Sequence, residues 1–143
     1  MKKVDQSLHN PPEQLGTCFR ACIASVLEIE VDDMPPFEHM MFHKKAGYWK
    51  GTFFKWAYDN GYGVCEWEMN FIHKREKYPD GIIIPDDEIL IASGRSPRHE
   101  SCNHSVVWKD GKTLHDPHPS RDGLASEPFI FTYIFPLSHQ NDA

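Results

Sequence analysis

The 143-residue chain has no apolar run approaching the ~20 residues that span a bilayer. Its opening, Met1-Lys2-Lys3-Val4-Asp5-Gln6, turns polar where a secretory signal needs its apolar stretch. A cytoplasmic location and no membrane partner are therefore expected. Basic residues are the scarcer charge, 15 Lys and Arg against 21 Asp and Glu for a net −6, and none cluster into the stripe that grips a phosphate backbone. Nucleic acid is not an expected partner. Cysteine is sparse, with only Cys18, Cys22, Cys65 and Cys102. Without a secretory signal these four read as reduced thiols, whether buried, catalytic or metal-bound, rather than as two disulfides. Internal repeats and low-complexity segments are also lacking.

What is present suits one globular domain over residues 1–143, with 40% hydrophobic and 13% aromatic residues available for a core. Residues 1–16, polar and containing Asn10-Pro11-Pro12, read as an extended arm, and 137–143 as a flexible tail. The nine His would carry the formal charge from −6 to +3 if all were protonated, so behaviour near pH 6 should differ from that at pH 8.

From Cys18 to Glu30, the residues Phe19, Cys22, Ile23, Val26 and Leu27 recur at the spacing of a core-facing helix, with Thr17 as its N-cap. Asp32-Asp33 and Pro35-Pro36 interrupt any continuation. A second helix is expected from about Gly51 to Asn60, stopped by Asn60-Gly61, while 64–80 is ambiguous. Strands follow at Gly81–Ile84, Ile89–Ala92, His104–Trp108, Thr113–Asp116 and within Pro128–Pro136, with a loop from Gly94 to Cys102. The fold class is therefore α+β.

Cys18 falls in the first helical turn, where unpaired N–H groups and the helix dipole stabilise a thiolate. The plain alternative is a small packing residue. Cys22 shares the apolar stripe and should be buried and inert. A thiolate hydrolase also needs an imidazole to move a proton and a third group to fix its tautomer. His104 heads an apolar strand, and Asp116 lies on the strand across the Lys109-Asp110-Gly111 turn. A three-residue turn with Gly111 left-handed pairs Trp108 with Lys112 and puts His104 opposite Asp116. A two-residue turn at Asp110-Gly111 pairs His104 with Pro117 and turns Asp116 to the other face. On this reading the constellation requires the bulged, three-residue turn.

Gly16-Thr17-Cys18 opening a helix with Ala21 and Ala24-Ser25, then a His on one strand and Asp-Pro on the next, resembles the papain-like cysteine peptidase superfamily. Within it the pattern is similar to the bacteriocin-leader peptidase domains of ABC transporters. Val4-Asp5-Gln6-Ser7, Met34-Pro35, Ser96-Pro97-Arg98, His104-Ser105-Val106-Val107 and His115-Asp116-Pro117-His118-Pro119-Ser120 resemble a family of small phage and bacterial proteins of this fold. The resemblance spans residues 4–120. It implies a papain-like domain with the nucleophile helix packed on an antiparallel sheet, Cys18 as nucleophile, His104 as base and Asp116 as orienting acid. The Cys-Gly-Ser-Cys-Trp signature of papain itself is absent. The superfamily places a Gln upstream of the nucleophile as oxyanion donor; Gln6 matches, and Gln14 is the alternative.

The implied function is a cysteine peptidase, isopeptidase or amidase that needs no cofactor and takes a peptide or protein substrate. The loop containing Arg95, Ser96 and Arg98 is a candidate substrate rim, with Tyr48, Trp49 and Phe53 as a possible apolar wall. Two other readings compete. One is an inactive papain-like binding module. The other is a zinc site using Cys18, Cys22, His99, Cys102 and His104, for which the tight Cys-x-x-Cys spacing is missing.

Overall fold

The structure, a computed structural model, describes residues 1–6, 17–37, 48–68, 87–98 and 102–137. Helix α1 spans Cys18–Leu27, a 3₁₀ turn Val31–Asp33, and helix α2 Tyr48–Asp59. Five strands follow: β1 (Tyr62–Glu68), β2 (Leu90–Arg95), β3 (Asn103–Lys109), β4 (Lys112–His115) and β5 (Ile130–Pro136). They form one antiparallel sheet in the order β1-β5-β2-β3-β4. The class is α+β.

Helix α1 begins where the sequence placed it, at Cys18 after Thr17, although the Thr17 hydroxyl makes no capping hydrogen bond. Its stripe faces the sheet. Phe19, Cys22 and Ile23 join Phe53 and Ala57 of α2 and Ile91, Val107 and Ile134 of the sheet in the larger core. Phe53 is fully buried and meets the Phe19 and Phe37 rings edge to face, at 5.3 and 5.7 Å. The opposite face of the sheet carries a smaller core of Leu90, Ala92, Val106 and Phe131, covered partly by Leu124 and Phe129. That alternation of neighbours along β2 and β3 is the period of two of strands buried on both faces.

Several elements differ from expectation. Helix α2 starts three residues earlier, at Tyr48, and ends as expected at Asn60-Gly61, with Gly61 at φ 86°. Residues 62–68, largely within the ambiguous region, form β1 through pairing with β5. Strand β2 runs through Gly94 and Arg95, which the sequence assigned to a loop, because His104 and Asn103 pair with them. Gly94 is suited to that place, since a Cβ there would come 3.1 Å from Ser126 Oγ and 3.2 Å from Leu124. Leu137, expected in the tail, donates its N–H to Gly61 O. The Gly81–Ile84 strand and most of the 1–16 arm lie outside the described residues.

The β3–β4 turn is the main correction. Lys109 pairs with Lys112 and Trp108 with Thr113, leaving Asp110 (φ 53°) and Gly111 (φ 78°) as a two-residue turn of the type that needs positive φ at both positions. The expected three-residue turn is not formed. One step on, Val107 pairs with His115, so Leu114 is an extra residue in a bulge. This bulge moves the register by one more residue, and the chain beyond His115 then brings the Asp116 carboxylate to His104.

Phe53→Ala should lower unfolding free energy by about 3–5 kcal/mol, because the ring joins both helices in a core that cannot collapse over the gap. Urea denaturation measures this; a loss under about 1 kcal/mol would show that the two helices are held by other contacts.

Candidate active site

Strand β3 presents His104 almost at its start, and the segment after β4 presents Asp116. Their side chains, both nearly fully buried, meet with His104 Nε2 2.7 Å from Asp116 Oδ1. The carboxylate is built into its turn. Oδ1 also accepts the N–H of His118 at 2.9 Å, an Asx turn, and Oδ2 accepts the N–H of Gly123 at 2.7 Å. Cys18, partly exposed at the start of α1, interacts with the same imidazole and helps to hold its proton. With Nε2 engaged by Asp116, the ring nitrogen left for sulfur is Nδ1. The His118 ring packs edge-on against His104 at 6.3 Å.

Burial alone would push the His104 imidazolium down. The interactions with Asp116 and Cys18 outweigh it and raise the ring from 6.5 to about 9. Burial likewise opposes ionisation of Asp116, but hydrogen bonds from His104, His118 N–H and Gly123 N–H bring it down from 3.8 to about 2. At neutral pH the pair is an imidazolium and a carboxylate. Cys22 is wholly buried, and burial, followed by the charges of Cys18 and Asp116, pushes its thiol well above the ordinary value. None of the four cysteines is in a disulfide.

The other sequence candidates divide. Gln6 is buried, and its N–H donates to Pro117 O at 3.0 Å, next to Asp116. Gln14 lies outside the described residues, as does the Trp49 side chain, although its backbone belongs to α2. Arg95 is exposed, and its backbone is tied to Ser126 Oγ and Ala125 N–H. Ser96 is buried and accepts the N–H of Arg98. Arg98 donates to Ser120 Oγ at 3.0 Å, which in turn lies 2.9 Å from His118 Nδ1. Phe53 is core rather than an apolar wall of the cleft. Among the described residues no three His, Cys, Asp or Glu side chains are grouped to hold a metal ion, and Cys22 is enclosed in the core.

Sequence reading missed the Gly123 and His118 N–H groups, and with them Arg121, whose guanidinium bonds the Asp116 carbonyl and the Asp5 carboxylate. Asp116-Pro117-His118 does carry the signal of an Asx turn; the backbone donor from Gly123 has no signal of its own. Compared with known proteins, the chain matches no family model, no curated protein and no solved structure. Among the described residues no helix is long and apolar enough to cross a membrane.

The pair links folding to pH on both sides. Because His104 is raised, its contribution is complete below pH 6.5 and is lost as pH climbs through about 9; because Asp116 is lowered, its contribution is complete above 3.8 and is lost as pH falls through about 2. An NMR titration of the His104 ring should show a midpoint near 9, falling by about a unit or more in Asp116→Asn, which removes the carboxylate charge. An unchanged midpoint in that variant would show that Asp116 does not hold the proton on His104.

Proposed function

We propose that the protein is a papain-like cysteine hydrolase acting on an amide-type bond, a peptide, isopeptide or simple amide, through a covalent thioester. The observation that carries this reading is the His104 imidazole bonded to Asp116 at 2.7 Å and interacting with Cys18 at the start of α1. A cation beside a sulfur stabilises its thiolate, and a first-turn position adds the helix N–H groups.

The chemistry follows from that arrangement. Cys18 Sγ attacks the carbonyl carbon, and the carbonyl π electrons move to oxygen. His104 gives its Nδ1 proton to the departing amine as the C–N bond breaks, leaving an acyl thioester on Cys18 and a neutral imidazole. The imidazole then takes a proton from water, hydroxide adds to the thioester, and the carboxylic acid leaves as the C–S bond breaks and the thiolate re-forms with the imidazolium. Asp116 keeps the ring oriented with its Nε2 proton engaged throughout. The oxyanion donors proposed are the Cys18 backbone N–H and the Gln6 side-chain amide. Burial of Gln6 and its backbone bond beside Asp116 support that role.

With a quenched amide-substrate library, turnover should require Cys18 and His104: Cys18→Ala abolishes it and traps no acyl intermediate by mass, and His104→Ala removes it almost entirely. Turnover surviving in Cys18→Ala would refute the reading. In the same assay Gln6→Ala should lower kcat by about 100-fold or more while Cys18 is still alkylated at nearly the parent rate, since alkylation forms no oxyanion. Undiminished turnover would take Gln6 out of the mechanism.

A further inference from the structure

Residues 1–6 run from α1 to the turn after β4. Val4 N–H donates to Ser25 Oγ on α1 at 2.9 Å, His115 Nε2 lies 3.0 Å from Val4 O, and Gln6 N–H donates to Pro117 O. Arg121 and His115 both reach the Asp5 carboxylate, His115 Nε2 lying 3.3 Å from Oδ1. Arg121 donates Nη1 to Asp5 Oδ1 at 2.6 Å and Nη2 to Asp5 Oδ2 at 2.9 Å, a parallel two-bond fork. The same Nη1 also donates to the carbonyl oxygens of Asp116 and His118. Arg121 sits at φ 57°, a left-handed conformation uncommon for a residue with a Cβ.

We propose that Arg121 is a positioning residue for the Cys18, His104 and Asp116 site, fastening residues 1–6, with Gln6, to the turn that carries Asp116. The proposal rests on the hydrolase reading given above. Arg121 touches neither the sulfur nor the imidazole in the structure. It acts through two neighbours: Asp5, which precedes Gln6, and the carbonyls of Asp116 and His118, which frame the carboxylate bonded to His104. Both partners of the ion pair are about half exposed, at 47% and 46%. Exposed pairs add little to folding stability. A purely structural staple at this place would therefore leave no large trace in either stability or turnover, whereas a positioning residue changes turnover and the proton held on His104 with little loss of stability.

The test compares Arg121→Ala and Asp5→Asn with the parent protein, with Lys3→Ala as a neighbouring control. Asp5→Asn keeps Arg121 in place and decides the matter where Arg121→Ala yields little folded protein. Three quantities are read: kcat and KM per titratable Cys18, the pH profile of Cys18 alkylation by iodoacetamide, and the melting temperature. Both variants should lose about tenfold or more in kcat with KM within about twofold. The alkaline limb of alkylation, which reports deprotonation of His104, should move down by roughly half a unit or more as Asp116 loosens. The melting temperature should fall by no more than a few degrees, and Lys3→Ala should match the parent. Unaltered kcat with an unmoved alkaline limb in both variants would overturn the proposal and leave the hydrolase reading standing. If the parent shows no Cys18-dependent turnover, the hydrolase reading fails separately. The alkylation profile then decides for Arg121: a displaced limb supports it and an unmoved limb overturns it.

Discussion

An imidazole buried in protein loses its proton easily, and most of this site's construction serves to stop His104 from doing so. Desolvation pulls its pKa down; a carboxylate at 2.7 Å and the neighbouring Cys18 reverse the balance and lift it to about 9. The carboxylate must itself be kept ionised against its own burial, which takes the His118 and Gly123 N–H groups. Those donors exist only if the chain after β4 turns back on itself through residues 117–123. Each requirement thus passes outward from one ring to a turn, from the turn to Arg121, and from Arg121 to residues 1–6.

The sheet supplies the rigid part of this arrangement. β2 pairs with β3 from Arg95–Asn103 to Leu90–Trp108, fixing the strand that carries His104 from both directions along its length. α1 packs its apolar side into the core that Val107 and Ile91 enter, which fixes the height of Cys18. Ser93 and Ser105, 2.8 Å apart and buried across the same pair of strands, satisfy each other's hydroxyls. Cys18, His104 and Asp116 therefore come from three elements held by two different kinds of force. Apolar burial places the helix and strand, and hydrogen bonds to backbone place the acid.

Legibility in the sequence follows that division. Apolar periodicity revealed α1 with its start at Cys18, the second helix to within three residues, and β3 to within a residue at each end, because side-chain burial is written in side-chain spacing. The segment 62–68 was opaque since its strand character depends on a partner, β5, about 70 residues away. The turn was misjudged because Asp110 and Gly111 both tolerate positive φ, so a two-residue and a three-residue turn look alike in composition. The bulge at Leu114, which shifts the register ahead of Asp116, breaks no pattern that four residues can display. For the site, Cys18, His104 and Asp116 stood out by residue type and position. Asp5 and Arg121, 116 residues apart, did not, because an ion pair between distant loops has no local signature.

Reactivity at the sulfur separates this account from its competitors most directly. Cys65 is exposed, Cys18 and Cys102 are partly exposed and Cys22 is buried, so accessibility alone ranks Cys65 first. Brief treatment of the native protein with a substoichiometric alkylating agent at pH 7, followed by mass mapping of all four cysteines, compares accessibility with activation in one sample. Activation by His104 predicts that Cys18 carries nearly all of the label in the parent protein and loses that preference in His104→Ala. Labelling led by Cys65, or a Cys18 preference indifferent to His104, would contradict it.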